Sequence, residues 1–194
     1  MSVVIRRDAV AAQRWKNGGG AVRELLLRPD SADWRVRIAV AEIETDGPFS
    51  EFPGVTRHFT VIAGNGVELT IGDAGAATLH RLRVGDPTLR FDGGAPTSCR
   101  LLGGRALALN LMLRGAAGRV EAVRAGDDWA PAADACGLYT AVAGRCGGID
   151  LPAESLVWFD SAPAGLRFDP VPASEAPTGP PGWWLATNHS EIRQ

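Results

Sequence analysis

Apolar and polar positions alternate with a two-residue period through the middle of the chain, in short runs separated by glycine, proline and aspartate. Such runs are typical of an antiparallel β-sandwich or β-barrel. They predict strands at residues 22–27, 34–43, 59–63, 66–71, 88–91 and 105–113. Residues 115–135 are rich in Ala and Gly and are predicted to connect two halves of the molecule.

Two short segments recur further along the chain. Residues 59–64 match residues 139–144 at a shift of 80, and residues 85–92 match residues 153–160 at a shift of 68. The order of strand, glycine turn, returning strand and aromatic strand is that of a cupin jelly roll. We therefore predict an all-β, antiparallel, two-lobed cupin (bicupin) jelly-roll barrel. Its lobes are placed at residues 1–115 and 116–194 and are expected to form one compact unit.

Composition and charge restrict the classes of binding partner and the cellular location that we expect for the protein. The 194 residues are 22% charged with a net charge of −2, which argues against nucleic acid or an anionic membrane surface as partner. Charged residues at positions 6–8 follow only four residues that could begin the apolar core of a signal peptide. We therefore predict a cytoplasmic protein. The three cysteines form no CxxC pair and are predicted to be free thiols.

Histidine is too scarce for a typical cupin metal site, which needs about three or four protein ligands. Only His58 lies near the expected ligand positions, and His80 and His189 lie at no ligand spacing. We therefore predict no bound metal and no other cofactor.

Residues 15–20, WKNGGG, form the most unusual segment and contain Lys16, the only lysine among 20 basic residues. A phosphate loop is excluded, because no apolar strand precedes the segment and no GKS or GKT follows. Two interpretations stay open: a flexible turn, or a backbone that approaches a ligand closely.

A second candidate cluster begins with the aromatic loop at residues 46–54, which leads to Arg57 and His58. Further on, the alternation in residues 105–114 places four leucines on one face of a strand, with Asn110 and Arg114 on the other. That second face is either solvent-exposed or part of a barrel lumen. A lumen would suit a small anion, because arginine binds a carboxylate through two hydrogen bonds.

Four segments in this order, residues 15–24, 34–39, 46–57 and 109–114, resemble the HutD/Ves family. The resemblance implies a metal-poor bicupin, bacterial and cytoplasmic, that is associated with histidine utilisation. It also implies ligands such as N-formylglutamate or other small carboxylates. The chain departs from the family pattern at Val22, Arg37, Thr56 and Ala108, where Thr, Ser, Asp and Asp are expected.

We interpret the chain as a small-carboxylate-binding protein with a regulatory or protective role and without turnover. An alternative is a metal-free isomerase or lyase that uses Glu24 and His58, and a third is an interaction module with Trp183 and Trp184 exposed. A homodimer is compatible with each. The predicted ligand-binding residues are Trp15, Lys16, Asn17, Arg57, His58, Asn110 and Arg114.

Overall fold

The computed structural model describes residues 1–124, 126–172 and 178–189, and these residues form β-strands and one short 3-10 turn, Arg7–Ala9. The strands of the first half are β1 Ser2–Arg6, β2 Gln13–Arg14, β3 Gly20–Arg28, β4 Val36–Ile43, β5 Gly47–Pro48, β6 Val55–Gly64, β7 Val67–Ile71, β8 Thr78–Leu82, β9 Leu89–Asp92, β10 Thr97–Leu101 and β11 Ala106–Arg114. Those of the second half are β12 Ala116–Ala122, β13 Asp128–Trp129, β14 Ala135–Thr140, β15 Gly144–Cys146, β16 Ile149–Leu151, β17 Ser155–Phe159, β18 Leu166–Pro170 and β19 Gly182–His189.

The chain folds into two compact units. The central unit, residues 11–115, contains the sheets β2-β3-β4-β11-β6-β9 and β5-β10-β7-β8. The terminal unit contains residues 1–10 and the chain from residue 116 onward, with the sheets β1-β17-β14-β19-β12 and β13-β18-β15-β16. Residues 1–10 are predicted to belong to the first lobe, whereas in the structure β1 pairs with β17 of the terminal unit.

The alternation located the strands of the central unit well. Each predicted strand is present as β3, β4, β6, β7, β9 or β11, with shifts of a few residues at its ends. The prediction of a connection at residues 115–135 is wrong, because β12 and β13 lie within it. Strand β12 pairs with β19 over seven residues. Its alanine and glycine residues give no clear apolar alternation from which a strand could be predicted.

The two units repeat one strand order. Strands β4 to β11 pair with one another as strands β12 to β19 do, which confirms the duplicated strand arrangement that the sequence repeat predicts. The alignment of the first repeated segment needs a correction of one residue. Phe59 contacts Leu89 across the sheet and Leu138 contacts Val157, so Phe59 corresponds to Leu138, at a shift of 79. The strand register determines the correct shift, because an alignment that is wrong by one residue would match side chains on opposite faces of the sheet.

The predicted closed barrel is not observed. Among the described residues each of the four sheets has two edge strands, and no sheet closes on itself. Side chains of two open sheets instead fill the space between them. The core of the central unit combines residues such as Phe59 and Ala108 from one sheet with Leu69 and Cys99 from the other. The core is thus that of a face-to-face pair of sheets.

Burial settles several smaller predictions. Cys99, Cys136 and Cys146 are buried and free, as the sequence analysis predicts. Trp183 and Trp184 are both buried, so the interpretation of these rings as an exposed interaction anchor is wrong. In the described part of the chain, no helix has the length and apolar character needed to cross a membrane.

Candidate functional site

A cavity of about 270 Å³ lies in the central unit, between the inner face of the larger sheet and two loops. One loop is the WKNGGG segment, and the other is the aromatic loop of residues 46–54. The cavity wall is mostly apolar and carries basic groups, and none of its residues is Asp, Glu or His. The lining residues are Trp15, Lys16, Asn17, Val22, Arg37, Ala39, Ala41, Pro48, Phe49, Ser50, Phe52, Arg57, Asn110 and Met112.

The inner wall of this cavity is formed by alternate side chains of the strands in the larger sheet. Asn110 and Met112 project from β11 on the face opposite its buried leucines, so this face lines a cavity rather than solvent. Asn110 is only 3% exposed. Register places Arg57 of β6 and Arg37 of β4 on either side of Met112. Two arginines therefore reach one cavity from the two strands that flank β11.

Arg57 is held by two aromatic rings and one hydrogen bond. The guanidinium carbon lies 5.2 Å from the ring centre of Phe49 and 5.2 Å from that of Phe91. Arg57 Nη2 donates a hydrogen bond to Asn110 Oδ1 at 2.9 Å. The two aromatic rings and the amide hold the guanidinium in place by cation–π contacts and a hydrogen bond.

The charge of Arg57 is uncompensated within the described residues. Arg57 is 7% exposed, forms no ion pair with any described carboxylate, and its Nε has no hydrogen-bond partner there. Burial, and next the positive charge of Arg37, lower the pKa of Arg57 to about 10. The group is still protonated at neutral pH. A buried cation without an anionic partner is costly, which makes the cavity a favourable place for an anion.

Arg37 is paired, in contrast to Arg57. Its Nε donates to Glu24 Oε2 at 2.7 Å, and its Nη1 lies 3.0 Å from Met112 Sδ. The guanidinium also lies over the Phe52 ring, 5.7 Å from its centre. A thioether is a weak acceptor, so the outer edge of Arg37 stays available to a stronger one.

The WKNGGG loop is anchored at the rim of the cavity. Asn17 Nδ2 donates to the carbonyl oxygen of Pro48 at 3.2 Å, which ties this loop to the aromatic loop. The Trp15 ring packs edge-on against Phe49 at 5.9 Å. Lys16 is exposed beside them and has no ion pair in the described part of the chain. These contacts argue against a flexible turn and hold the loop at the cavity.

The structure brings together five of the seven predicted ligand-binding residues: Trp15, Lys16, Asn17, Arg57 and Asn110 line the cavity. His58 does not, because it follows Arg57 in a strand and faces the opposite side of the sheet. Arg114 does not either, since it lies at the end of β11 with its guanidinium 4.6 Å from the Trp34 ring centre. Glu24 is not a lining residue and contacts the cavity only through Arg37.

Sequence reasoning missed Arg37, Met112 and Phe49 as cavity residues. The same alternation that pointed to Asn110 runs through β4 and places Arg37 beside Ala39 and Ala41 on the inner face. Two of the departures from the HutD/Ves pattern, Val22 and Arg37, line the cavity. The departures therefore change the wall of the site itself.

Comparison with known proteins decides the family. The HutD family model matches residues 7–162, which is most of the chain. The chain belongs to the HutD family. This confirms the resemblance found in the sequence, and the match extends well beyond the segments on which that resemblance depends.

Curated relatives of this HutD-family protein are similar over about half its length. An uncharacterised 21.2 kDa protein in the hutC 3' region of Pseudomonas putida is 34% identical over 113 residues, 56% of this chain and 56% of that protein. Protein Ves of Cronobacter sakazakii is 36% identical over 101 residues, 52% of this chain and 54% of that protein. The chain thus spans about half the length of the curated relatives it matches.

Solved structures share the fold over nearly the whole HutD-family chain. HutD of Pseudomonas fluorescens is 22% identical with a TM-score of 0.79, covering 98% of this chain and 100% of that one. An oxalate decarboxylase variant of Bacillus subtilis is 11% identical with a TM-score of 0.63, covering 96% and 76%. The second likeness supports a cupin-like fold and nothing more specific.

The cavity residues do not fit a divalent metal of the kind named for that decarboxylase, which has Mn(II) centres. Manganese prefers carboxylate, carbonyl and water oxygens, often with imidazole. The cavity instead offers two guanidinium groups, an ammonium group, one hydroxyl group, amides and a thioether. The described residues also include no group of three His, Cys, Asp or Glu side chains placed to hold an ion.

Proposed function

We propose that this HutD-family protein binds a small carboxylate in the central-unit cavity without transforming it. The observation that carries the proposal is Arg57, a buried guanidinium in the cavity with no described carboxylate partner. A carboxylate suits this group, since guanidinium and carboxylate form paired parallel hydrogen bonds. The apolar wall of Ala39, Phe49 and Phe52 would hold an uncharged body next to that head group.

The proposal extends to the biological setting. Duplicated strand order and cupin-like neighbours support a bicupin. The name of the Pseudomonas putida relative refers to hutC, and the HutD/Ves resemblance implies histidine utilisation. We therefore infer a regulatory or protective role in the cytoplasm, with N-formylglutamate-like acids as first candidates.

The enzyme alternative finds less support in the geometry. A metal-free isomerase or lyase needs an acid and a base in one cavity. Glu24 is ion-paired with Arg37, and His58 lies on the opposite side of the sheet from Arg57. The two candidate groups are therefore not positioned to act together on one ligand.

Thermal unfolding with a set of acyl amino acids and dicarboxylates tests this function. A ligand at about one hundred times its dissociation constant adds roughly 2.7 kcal/mol of stability, which for this length raises the Tm by about 5 °C or more. Arg57→Ala is expected to abolish the shift. Arg81→Ala is the matched control, because Arg81 is exposed and pairs with Glu68 outside the cavity.

Two results would reject the proposal. One is the absence of a shift with every anion, and the other is a shift that persists in Arg57→Ala. Product formation from a compound that binds, followed over hours by nuclear magnetic resonance, would favour the enzyme alternative instead.

A further inference from the structure

The two cavity arginines differ in how the protein compensates their charge. Glu24 lies 2.7 Å from Arg37 and forms an ion pair with it, whereas Arg57 has no described carboxylate partner. The inner end of the cavity thus combines two guanidinium groups with one internal negative charge. Lys16 is exposed at the rim, where water screens its charge.

Glu24 does not line the cavity and affects it through its contact with Arg37. It lies on β3 opposite Ala39, next to a bulge at residues 24–26 that changes the register of the strand. Its carboxylate accepts a hydrogen bond from Arg37 Nε, while Arg37 Nη1 lies 3.0 Å from Met112 Sδ in the cavity wall. Glu24 therefore fixes both the orientation and the effective charge of Arg37.

We propose that Glu24 is a positioning residue that determines specificity: it adapts the cavity to a head group with one negative charge and disfavours a dianionic phosphate. This inference rests on the proposed function. Two uncompensated guanidinium groups side by side would suit a phosphate, which accepts several charge-assisted hydrogen bonds. With Arg37 compensated, one net positive charge remains for the head group. A second negative charge on the ligand would be repelled by the Glu24 carboxylate, and no further uncompensated guanidinium would be left among the described cavity residues to bind it.

Benzoate and phenyl phosphate test this proposal, because they share a phenyl body and differ in the charge of the head group above about pH 7. Titration calorimetry measures both affinities for the wild-type protein and for Glu24→Gln. The wild-type protein is expected to prefer benzoate by about tenfold or more. Glu24→Gln keeps a hydrogen-bond acceptor for Arg37 but loses the charge. It is expected to shift the affinity ratio toward phenyl phosphate by about tenfold.

Two further variants separate specificity from general effects. Glu24→Asp keeps the charge and is expected to keep the benzoate preference. Glu68→Gln removes a carboxylate that pairs with Arg81 and Arg100 outside the cavity, and it is expected to leave the ratio unchanged. A merely structural role of Glu24 would weaken both probes together and leave their ratio as it is.

An unchanged ratio in Glu24→Gln, with both probes still bound in an Arg57-dependent way, overturns this proposal and leaves the proposed function standing. The same ratio change in Glu68→Gln would also overturn it, because the effect would then come from net charge alone. If neither probe binds the wild-type protein, or binding does not depend on Arg57, the proposed function fails first.

Discussion

Asn110 stabilises a charge that the fold alone does not compensate. Its Oδ1 accepts from Arg57 Nη2, and its Nδ2 donates to the carbonyl oxygen of Ala108 at 3.3 Å. Asn110→Leu removes both hydrogen bonds and leaves their partners buried, and we expect it to lower the free energy of unfolding by about 1 to 3 kcal/mol. Asn110→Asp places a carboxylate beside Arg57, so it is expected to stabilise the ligand-free protein while abolishing anion binding. Denaturant unfolding and calorimetry measure the two effects.

The opposite pattern would contradict this account of Asn110. If Asn110→Asp bound anions as well as the wild-type protein, Arg57 would not be the anchor. If Asn110→Leu were neutral, its hydrogen bonds would contribute nothing to the fold.

His58 gives the molecule a specific acid sensitivity. It is buried, its Nε2 has no partner among the described residues, and burial and then the charge of Arg90 lower its pKa from 6.5 to about 4. Between pH 6.5 and 4, His58 is protonated in the unfolded chain but stays neutral in the folded state. The free energy of unfolding therefore falls as the pH falls from 6.5 to 4. Below pH 4 both states are protonated and the loss levels off, at most about 3 kcal/mol.

Nuclear magnetic resonance titration of the His58 ring measures this pKa directly, and unfolding at several pH values measures its consequence. We expect His58→Leu to remove most of the stability change between pH 6.5 and 4. A ring that titrates near 6.5 in the folded protein would contradict the prediction.

Single side chains were predictable where strand period alone decides their direction. The alternation of β11 placed Asn110 on the face opposite the leucines, and its burial and hydrogen bonds show that this face lies inside the fold. The same rule separates His58 from Arg57, although the sequence analysis assigned both to one site. The pairing of Arg37 with Glu24 was not predictable, because it depends on the register between β3 and β4 and on a bulge.

The WKNGGG loop depends on one glycine for close packing and on another for backbone conformation. A Cβ atom at Gly20 would lie 2.1 Å from the carbonyl oxygen of Glu42 and 3.2 Å from the Trp15 ring. Gly18 has φ +73° and open space around it. We expect Gly20→Ala to cost about 3 kcal/mol by displacing the loop, and Gly18→Ala about 1 kcal/mol through backbone strain.

Anion affinity provides a second measurement at the scale of the element. Displacing the loop at Gly20 moves Trp15 off the cavity, so Gly20→Ala is expected to weaken binding more than Gly18→Ala does. Equal stability costs, or equal affinities, would contradict the role given to the packing of Gly20.

Strands were predictable from sequence to the extent that their side chains alternate clearly. The runs in β4, β6 and β11 alternate between two distinct faces and were located well. Strand β12 carries small residues and arginine instead of a clear apolar face, and it was missed. Sheet closure was predicted wrongly, because alternation says which face is buried and not whether the edge strands meet.

The two units share one strand order but fill their interiors differently. By cross-strand pairing, Arg57 corresponds to Cys136 and Asn110 to Trp184. Trp184 stacks on Trp129 at 4.6 Å in the core of the terminal unit. A buried thiol and stacked rings thus take the positions that hold the basic group and the amide in the central unit.

This difference predicts one anion site per chain rather than two. Calorimetry of a ligand found by thermal unfolding is expected to give a stoichiometry of one, because only the central unit combines a cavity with a buried cation in the described residues. Hydrogen exchange should slow in β4 and β11, which carry cavity residues, and stay unchanged in β14, whose side chains are packed. A stoichiometry of two, or equal protection of β14, would show that the terminal unit also binds the anion and that the side chains at Cys136 and Trp184 rearrange to admit it.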